Sequence, residues 1–181
     1  DIIRGCGPVD GHLIWTVAGS GEPSGPSPVI GDGLGYASAT NREPLRAVRP
    51  DGQGDCTETH IAWEQKGYTP MMSSYLYVKP FLYTCTDGSY FCCLDATTGA
   101  FLWRLQLKIG ALNPSPIYAD GKIYVLSEQG TTIVLKPSGE RDKPAEILAK
   151  NELKESCRAS IAVAGKQLII RSSDRLWCIG K

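Results

Sequence analysis

Apolar and polar positions alternate in short bursts along this chain, and glycine, proline, aspartate or asparagine interrupts them every few residues. That is the pattern of β-strands joined by tight turns. Residues 113–136 show it most clearly. Asn113 to Ala119 is an apolar strand, and Asp120-Gly121 is a hairpin turn, because glycine takes φ > 0 without steric cost. Across residues 122–128, Ile123 and Val125 fall on one face and Tyr124 and Leu126 on the other. Gln129-Gly130 turns the chain again, and Thr131 to Lys136 is β-branched and apolar. Both faces of these strands carry apolar residues, which suits sheets packed between neighbouring sheets. No stretch sustains a 3.6-residue period. Only residues 143–156 have room for a short helix, and residues 146–150 within them are read as an outer strand from their place in a repeat.

That repeat is the stronger signal. Ser27-Pro28-Val29-Ile30-Gly31-Asp32-Gly33 returns as Ser115-Pro116-Ile117-Tyr118-Ala119-Asp120-Gly121. A looser copy starts at Ser74, with Tyr75 and Pro80 in place of the proline and the second glycine, and a weaker one starts at Ser160, with Ile161 for the proline. The four serines lie 47, 41 and 45 residues apart. A second marker keeps the same period. Trp15, Trp63 and Trp103 each close a short strand, 48 and 40 residues apart, and Leu148 takes the matching place in the last copy. Two markers drifting together predict an array of four-stranded antiparallel units. These are blades at about residues 26–65, 71–106 and 111–152, a blade end at 1–17 and a partial blade at 157–181. The predicted fold is all-β, one partial β-propeller domain of about four blades.

The segment Leu94-Asp95-Ala96-Thr97-Thr98-Gly99-Ala100-Phe101-Leu102-Trp103 resembles the tryptophan-docking motif of the pyrroloquinoline-quinone-like repeat family. The resemblance implies structural roles for Trp15, Trp63, Trp103, Asp95 and Gly99: the ring bridges to the next blade, and the Thr-Gly turn reverses the third strand into the fourth. The copy from Cys6 to Trp15 has the same outline but lacks the aspartate. Gly54-Asp55-Cys56-Thr57-Glu58-Thr59-His60-Ile61-Ala62-Trp63 is similar to a stretch of exported bacterial propeller proteins. Family rings of seven or eight blades imply that this chain is a C-terminal arc. An arc leaves two apolar faces to be covered by the remaining blades, by a protein partner, or by a tight four-bladed closure.

Composition narrows the function classes. The 181 residues carry 19 basic and 19 acidic side chains, a net charge of zero, so no electrostatic footprint for nucleic acid is present. No apolar run reaches the roughly 18 to 20 residues of a membrane span. The first residue is Asp1 and no signal segment follows it, so the chain is expected to begin after a removed or preceding segment. Seven cysteines at irregular spacing form no disulfide framework and no C-x-x-C pair, and with two histidines no zinc site is expected.

Three features bear on chemistry. Cys92-Cys93 matches the adjacent pair over the cofactor of quinone-dependent alcohol dehydrogenases, but alternation sends the two side chains to opposite faces of a strand. The long loop at residues 50–60 holds Asp55 and His60, an acid–base pair in principle and a strand-capping turn otherwise. Arg171 ends the apolar run Leu168-Ile169-Ile170, which suits an inner or rim position. No catalytic residues, metal or cofactor follow from these features. The expected function is a non-catalytic binding or scaffold module of an exported protein, periplasmic or extracellular. The alternatives are a fragment of a quinone-dependent dehydrogenase, holding quinone with Ca²⁺, and an outer-membrane-assembly scaffold of the propeller lipoprotein type.

Overall fold

A computed structural model describes residues 2–19, 25–38 and 44–180. Asp1 and Lys181, the outer ends of the first and last expected segments, and residues 39–43, inside the first expected full blade, lie outside the described residues.

The chain is all-β, with no helix among the described residues. Three consecutive sheets have four antiparallel strands in simple meander order. The first holds β3 (Val29–Gly31), β4 (Leu34–Ala37), β5 (Leu45–Val48) and β7 (Ile61–Gln65). The second holds β8 (Leu76–Val78), β9 (Phe81–Thr86), β10 (Tyr90–Asp95) and β11 (Phe101–Gln106). The third holds β12 (Ile117–Ala119), β13 (Lys122–Leu126), β14 (Thr131–Lys136) and β15 (Glu146–Glu152). Two partial sheets flank them. The hairpin β1 (Ile2–Cys6) and β2 (Leu13–Ala18) precedes them, and β16 (Ala162–Ala164), β17 (Gln167–Arg171) and β18 (Leu176–Gly180) follow. The segment 146–152 is a strand, as the repeat required. The short first turns have the geometry their residues favour: Asp32-Gly33 has φ of 45° and 77°, and Asp120-Gly121 has 48° and 70°.

The core lies between sheets. Tyr36, Leu45 and Ala47 of the first full sheet meet Tyr75, Leu82 and Leu94 of the second. The other face of the second sheet, with Tyr83, Phe91, Cys93 and Trp103, packs on Ile123, Val125, Ile133 and Leu135. Leu126 and Tyr124, on the opposite face of β13, pack on Ile170 of the last sheet and on Cys157 and Ile161 of the connection that leads into it. Val17, Trp15 and Ile3 pack on Val48 and Cys56 at the other end. Strand alternation therefore feeds two cores from each full sheet, which is why both faces read as apolar.

The outer strand carries a bulge at one repeated place. Its register slips between Gly5 and Cys6, Ala47 and Val48, Cys93 and Leu94, and Val134 and Leu135. The tryptophans sit opposite Gly5, Ala47 and Cys93. In the third full sheet that place, opposite Val134, is held by Ala149. The assignment of Leu148 is thus corrected by one residue, because the connection before the outer strand differs in length between sheets (96–100 in the second, 137–145 in the third) and residue counting across it does not fix the register.

The opening serines join the sheets. Ser27 N–H donates to Ser74 Oγ at 3.0 Å, Ser74 N–H to Ser115 Oγ at 2.9 Å, and Ser115 N–H to Ser160 Oγ at 2.9 Å. Each hydroxyl takes the backbone donor of the preceding blade, so the first strands converge on one axis. Replacing Ser115 by alanine is expected to cost about 0.5–1.5 kcal/mol in urea denaturation, the usual net contribution of one hydrogen bond.

Candidate functional site

The axis ends in a collar. The residue two places before each ladder serine is Gly25, Met72, Asn113 or Arg158. These four, with Ser74, Ser115, Ser160 and Glu128, line a cavity of about 530 Å³. Each blade thus adds one hydroxyl to a uniform ladder and one side chain of its own kind to the rim. Asn113 Nδ2 donates to Glu128 Oε1 at 2.7 Å, and Arg158 Nε stands 3.8 Å from the same oxygen. Sequence reasoning used the serines only as period markers. A hydroxyl recurring beside an apolar strand was the available sign of a shared backbone contact.

The long loop serves the preceding sheet. Its two-residue strand β6 (Gly54–Asp55) runs parallel to β2, pairing Gly54 with Trp15 and Asp55 with Thr16. Asp55 Oδ1 accepts from Thr57 N at 3.0 Å and Thr57 Oγ1 at 2.6 Å, and these bonds hold its carboxyl below the usual range. His60 Nδ1 is 2.7 Å from Thr59 Oγ1, and Nε2 is 3.8 Å from Asp51 Oδ1. The backbone of His60 accepts from Arg49 N and donates to Cys56 O. Asp55 and His60 are therefore each engaged locally. Arg171 is exposed at the end of β17 and stands outside the lining of the axial cavity.

The tryptophans reach forward. The indole N–H of Trp15 donates to Pro50 O at 2.9 Å, that of Trp63 to Ala96 O at 3.0 Å, and that of Trp103 to Ser138 O at 3.1 Å. Each acceptor belongs to the following blade. Trp63 covers Gly99, where a Cβ would stand 2.5 Å from its ring. Asp95 builds the turn that presents Gly99: its Oδ1 accepts from Thr98 N and Thr98 Oγ1, and its backbone oxygen accepts from Gly99 N.

The last sheet has its own anchor. Glu155 Oε2 accepts from Ser172 Oγ at 2.5 Å and Trp177 Nε1 at 3.0 Å, while Arg175 Nε lies 3.0 Å from Oε1. The Ser172 hydroxyl, aided by the Trp177 indole and the Arg175 charge, holds this carboxyl below its ordinary value. A lowered folded pKa contributes stability above the ordinary glutamate value of about 4.3, and the contribution is lost as pH falls through the lowered value. Acidification through and below the ordinary glutamate range is expected to change the emission of Trp177, read against a W177F blank, and E155Q is expected to remove that transition.

The profile of the family described as outer membrane protein assembly factor BamB matches residues 2–174. This chain belongs to that family, within the pyrroloquinoline-quinone-like propeller repeats. BamB from Moraxella catarrhalis superposes with a TM-score of 0.71 at 14% identity, covering 94% of this chain and 50% of that one. The chain thus spans about half the length of that BamB. The computationally designed Ika4 protein superposes at 0.66 and 12% identity, covering 94% of this chain and 99% of that one. The quinohemoprotein alcohol dehydrogenase ADHIIG from Pseudomonas putida HK5 superposes at 0.62 and 12% identity, covering 88% of this chain and 30% of that one. At these identities the likeness is one of fold. No curated protein matches the chain.

The name of the repeat raises the question of a Ca²⁺-bound quinone, and the donor chemistry here does not fit one. The carboxylate at the axis, Glu128, already accepts an amide donor on Oε1 and faces a guanidinium, a poor setting for a divalent cation. Among the described residues no three of His, Cys, Asp or Glu gather as a metal site. Cys92 pairs with Thr84 and Cys93 with Tyr83 on successive rungs, so their side chains diverge. Burial pushes the Cys92 thiol up to about 11 and the Cys93 thiol up to about 12, which disfavours the thiolate that redox chemistry needs.

Proposed function

We propose that this chain is a non-catalytic arc of an exported propeller that binds protein partners in the cell envelope, periplasmic or extracellular, in the assembly of outer membrane proteins. The family match over residues 2–174 carries this reading. The surface chemistry supports it. Met71 and Met72 are exposed beside the axial rim, and flexible thioethers suit a contact that must adapt to a partner. Ile30, Leu13 and Ile2 are exposed at one end of the array, and Leu176 and Ile179 at the other. These end faces are covered by further blades or by a protein partner. The docking tryptophans Trp15, Trp63 and Trp103, with Asp95 and Gly99, hold the blades in the register that presents these surfaces.

The test is site-specific photocrosslinking from position 72 in envelope preparations. The reading expects one dominant adduct that contains an outer-membrane assembly component, weakened by M71E. A crosslinking pattern indistinguishable from that of a probe on exposed Lys66 overturns it.

A further inference from the structure

Charge is spread unevenly along this neutral chain. Residues 153–181 hold six basic side chains against two acidic ones. Two of the six, Arg158 and Arg171, meet at a second cavity of about 420 Å³ whose wall is completed by Ser156, Ala159, Ser172 and Ser173. It lies between the connection from β15 to β16 and the hairpin from β17 to β18. The two loops are tied together by Ser173 N, which donates to Ser156 O at 2.8 Å.

No carboxylate lines this cavity. Asp174 follows the lining Ser173 but stands outside the lining, and the other two acids near it, Glu155 and Glu128, have partners of their own. Glu155 is held by Ser172, Trp177 and Arg175. Glu128 accepts from Asn113, and its distance to Arg158 Nε, 3.8 Å, exceeds hydrogen-bonding range. Arg171 pairs with no carboxylate among the described residues. The hydroxyl of Ser172 is filled by its bond to Glu155 and by the amides of Asp174 and Arg175. Those of Ser156 and Ser173 have no partner among the described residues. The cavity therefore offers one guanidinium without a carboxylate partner, Arg171, a second, Arg158, whose only carboxylate contact is the long 3.8 Å pair with Glu128, and two spare hydroxyl donors, with Glu155 held by its own partners.

We propose that this cavity binds a small oxyanion, a carboxylate or a phosphate group, with Arg158 and Arg171 as its charged clamps and Ser156 and Ser173 as hydroxyl donors. Arginine suits the role because its planar fork meets two oxygens of one anion at once. The site is separate from the axial cavity, although Arg158 stands between the two, and it does not depend on the partner reading above.

The experiment is a titration of the intact protein with inorganic phosphate and, separately, with succinate, followed by arginine side-chain NMR shifts at constant ionic strength set with chloride. Saturable shifts at Arg158 and Arg171 are expected. R158M and R171M are each expected to weaken binding about tenfold, the loss of one charge-assisted contact. The tighter of the two anions identifies the chemical source, and either supports the site. K166M removes an exposed charge of the same sheet outside the cavity and is expected to leave affinity unchanged. If a methionine variant does not fold, R158K and R171K are expected to bind between wild type and no binding. The absence of saturation with both anions overturns the proposal, as does an equal loss in K166M, which reduces the effect to general charge.

Discussion

Trp103→Ala is expected to remove about 3–5 kcal/mol of stability, the usual cost of deleting a large aromatic from a core. The residue is 2% exposed and stands with its centroid 6.0 Å from both Tyr83 and Phe91, inside the cluster shared by the second and third full sheets. Its loss opens a cavity between two blades, because Ile123, Val125, Ile133 and Leu135 are held by their own strands and cannot follow it. Folded domains hold about 5–15 kcal/mol in all, so this single change takes a large share. Trp103→Phe keeps the ring and loses the indole bond to Ser138 O, whose other donor is the Tyr83 hydroxyl at 3.1 Å. About 1 kcal/mol is expected for it. Trp63 is only half-buried, so W63A is expected to cost less than W103A. Urea midpoints of the three variants give the order, and a W103A loss below that of W63A contradicts the assignment of the main core to this sheet pair.

The depth of burial at position 103 was not legible in the sequence, whereas the repeat that contains it was. Period-two alternation located the strands at residues 122–126 and 131–136, and the serine and tryptophan markers set the blade order. Local steric rules carry that information, since turn residues and alternation act over a few positions. What failed to show were contacts made across blades. The serine ladder depends on a neighbour more than forty residues away. The parallel pairing of Gly54 and Asp55 with β2 uses backbone groups alone and leaves no side-chain signature. The tryptophan-equivalent place is Ala149 and not Leu148, because the connection into the outer strand varies in length from sheet to sheet and residue counting does not carry the register across it. The site chemistry was less legible still. Arg158 and Arg171 are legible as candidates for an inner or rim position, but their meeting in one cavity with Ser156 and Ser173 depends on contact between two loops, which residue spacing does not show. The acids that leave that cavity open, Glu128 and Glu155, reveal their commitments only through hydrogen bonds between loops.

Gly99→Ala is expected to cost about 2–4 kcal/mol through two effects that controls can separate. The first is backbone strain. Gly99 has φ of 72°, where an L residue pays about 1 kcal/mol or somewhat more. The second is collision. The new Cβ would stand 2.5 Å from the Trp63 ring, and overpacking of this kind costs about 1–3 kcal/mol. Gly121→Ala carries the first effect alone, since its φ is 70° and nothing lies within 4 Å of the added atom. The difference between the two variants therefore measures contact across the blade boundary. Trp63→Ala in the Gly99→Ala background removes the ring that collides, so the double variant is expected to lose at least about 1 kcal/mol less than the sum of the two single losses. Simple additivity would mean that the ring does not rest on Gly99 in solution. Non-additivity of the expected sign, measured by denaturant midpoints, assigns Trp63 to a blade-to-blade contact and gives that contact a magnitude independent of any resemblance between motifs.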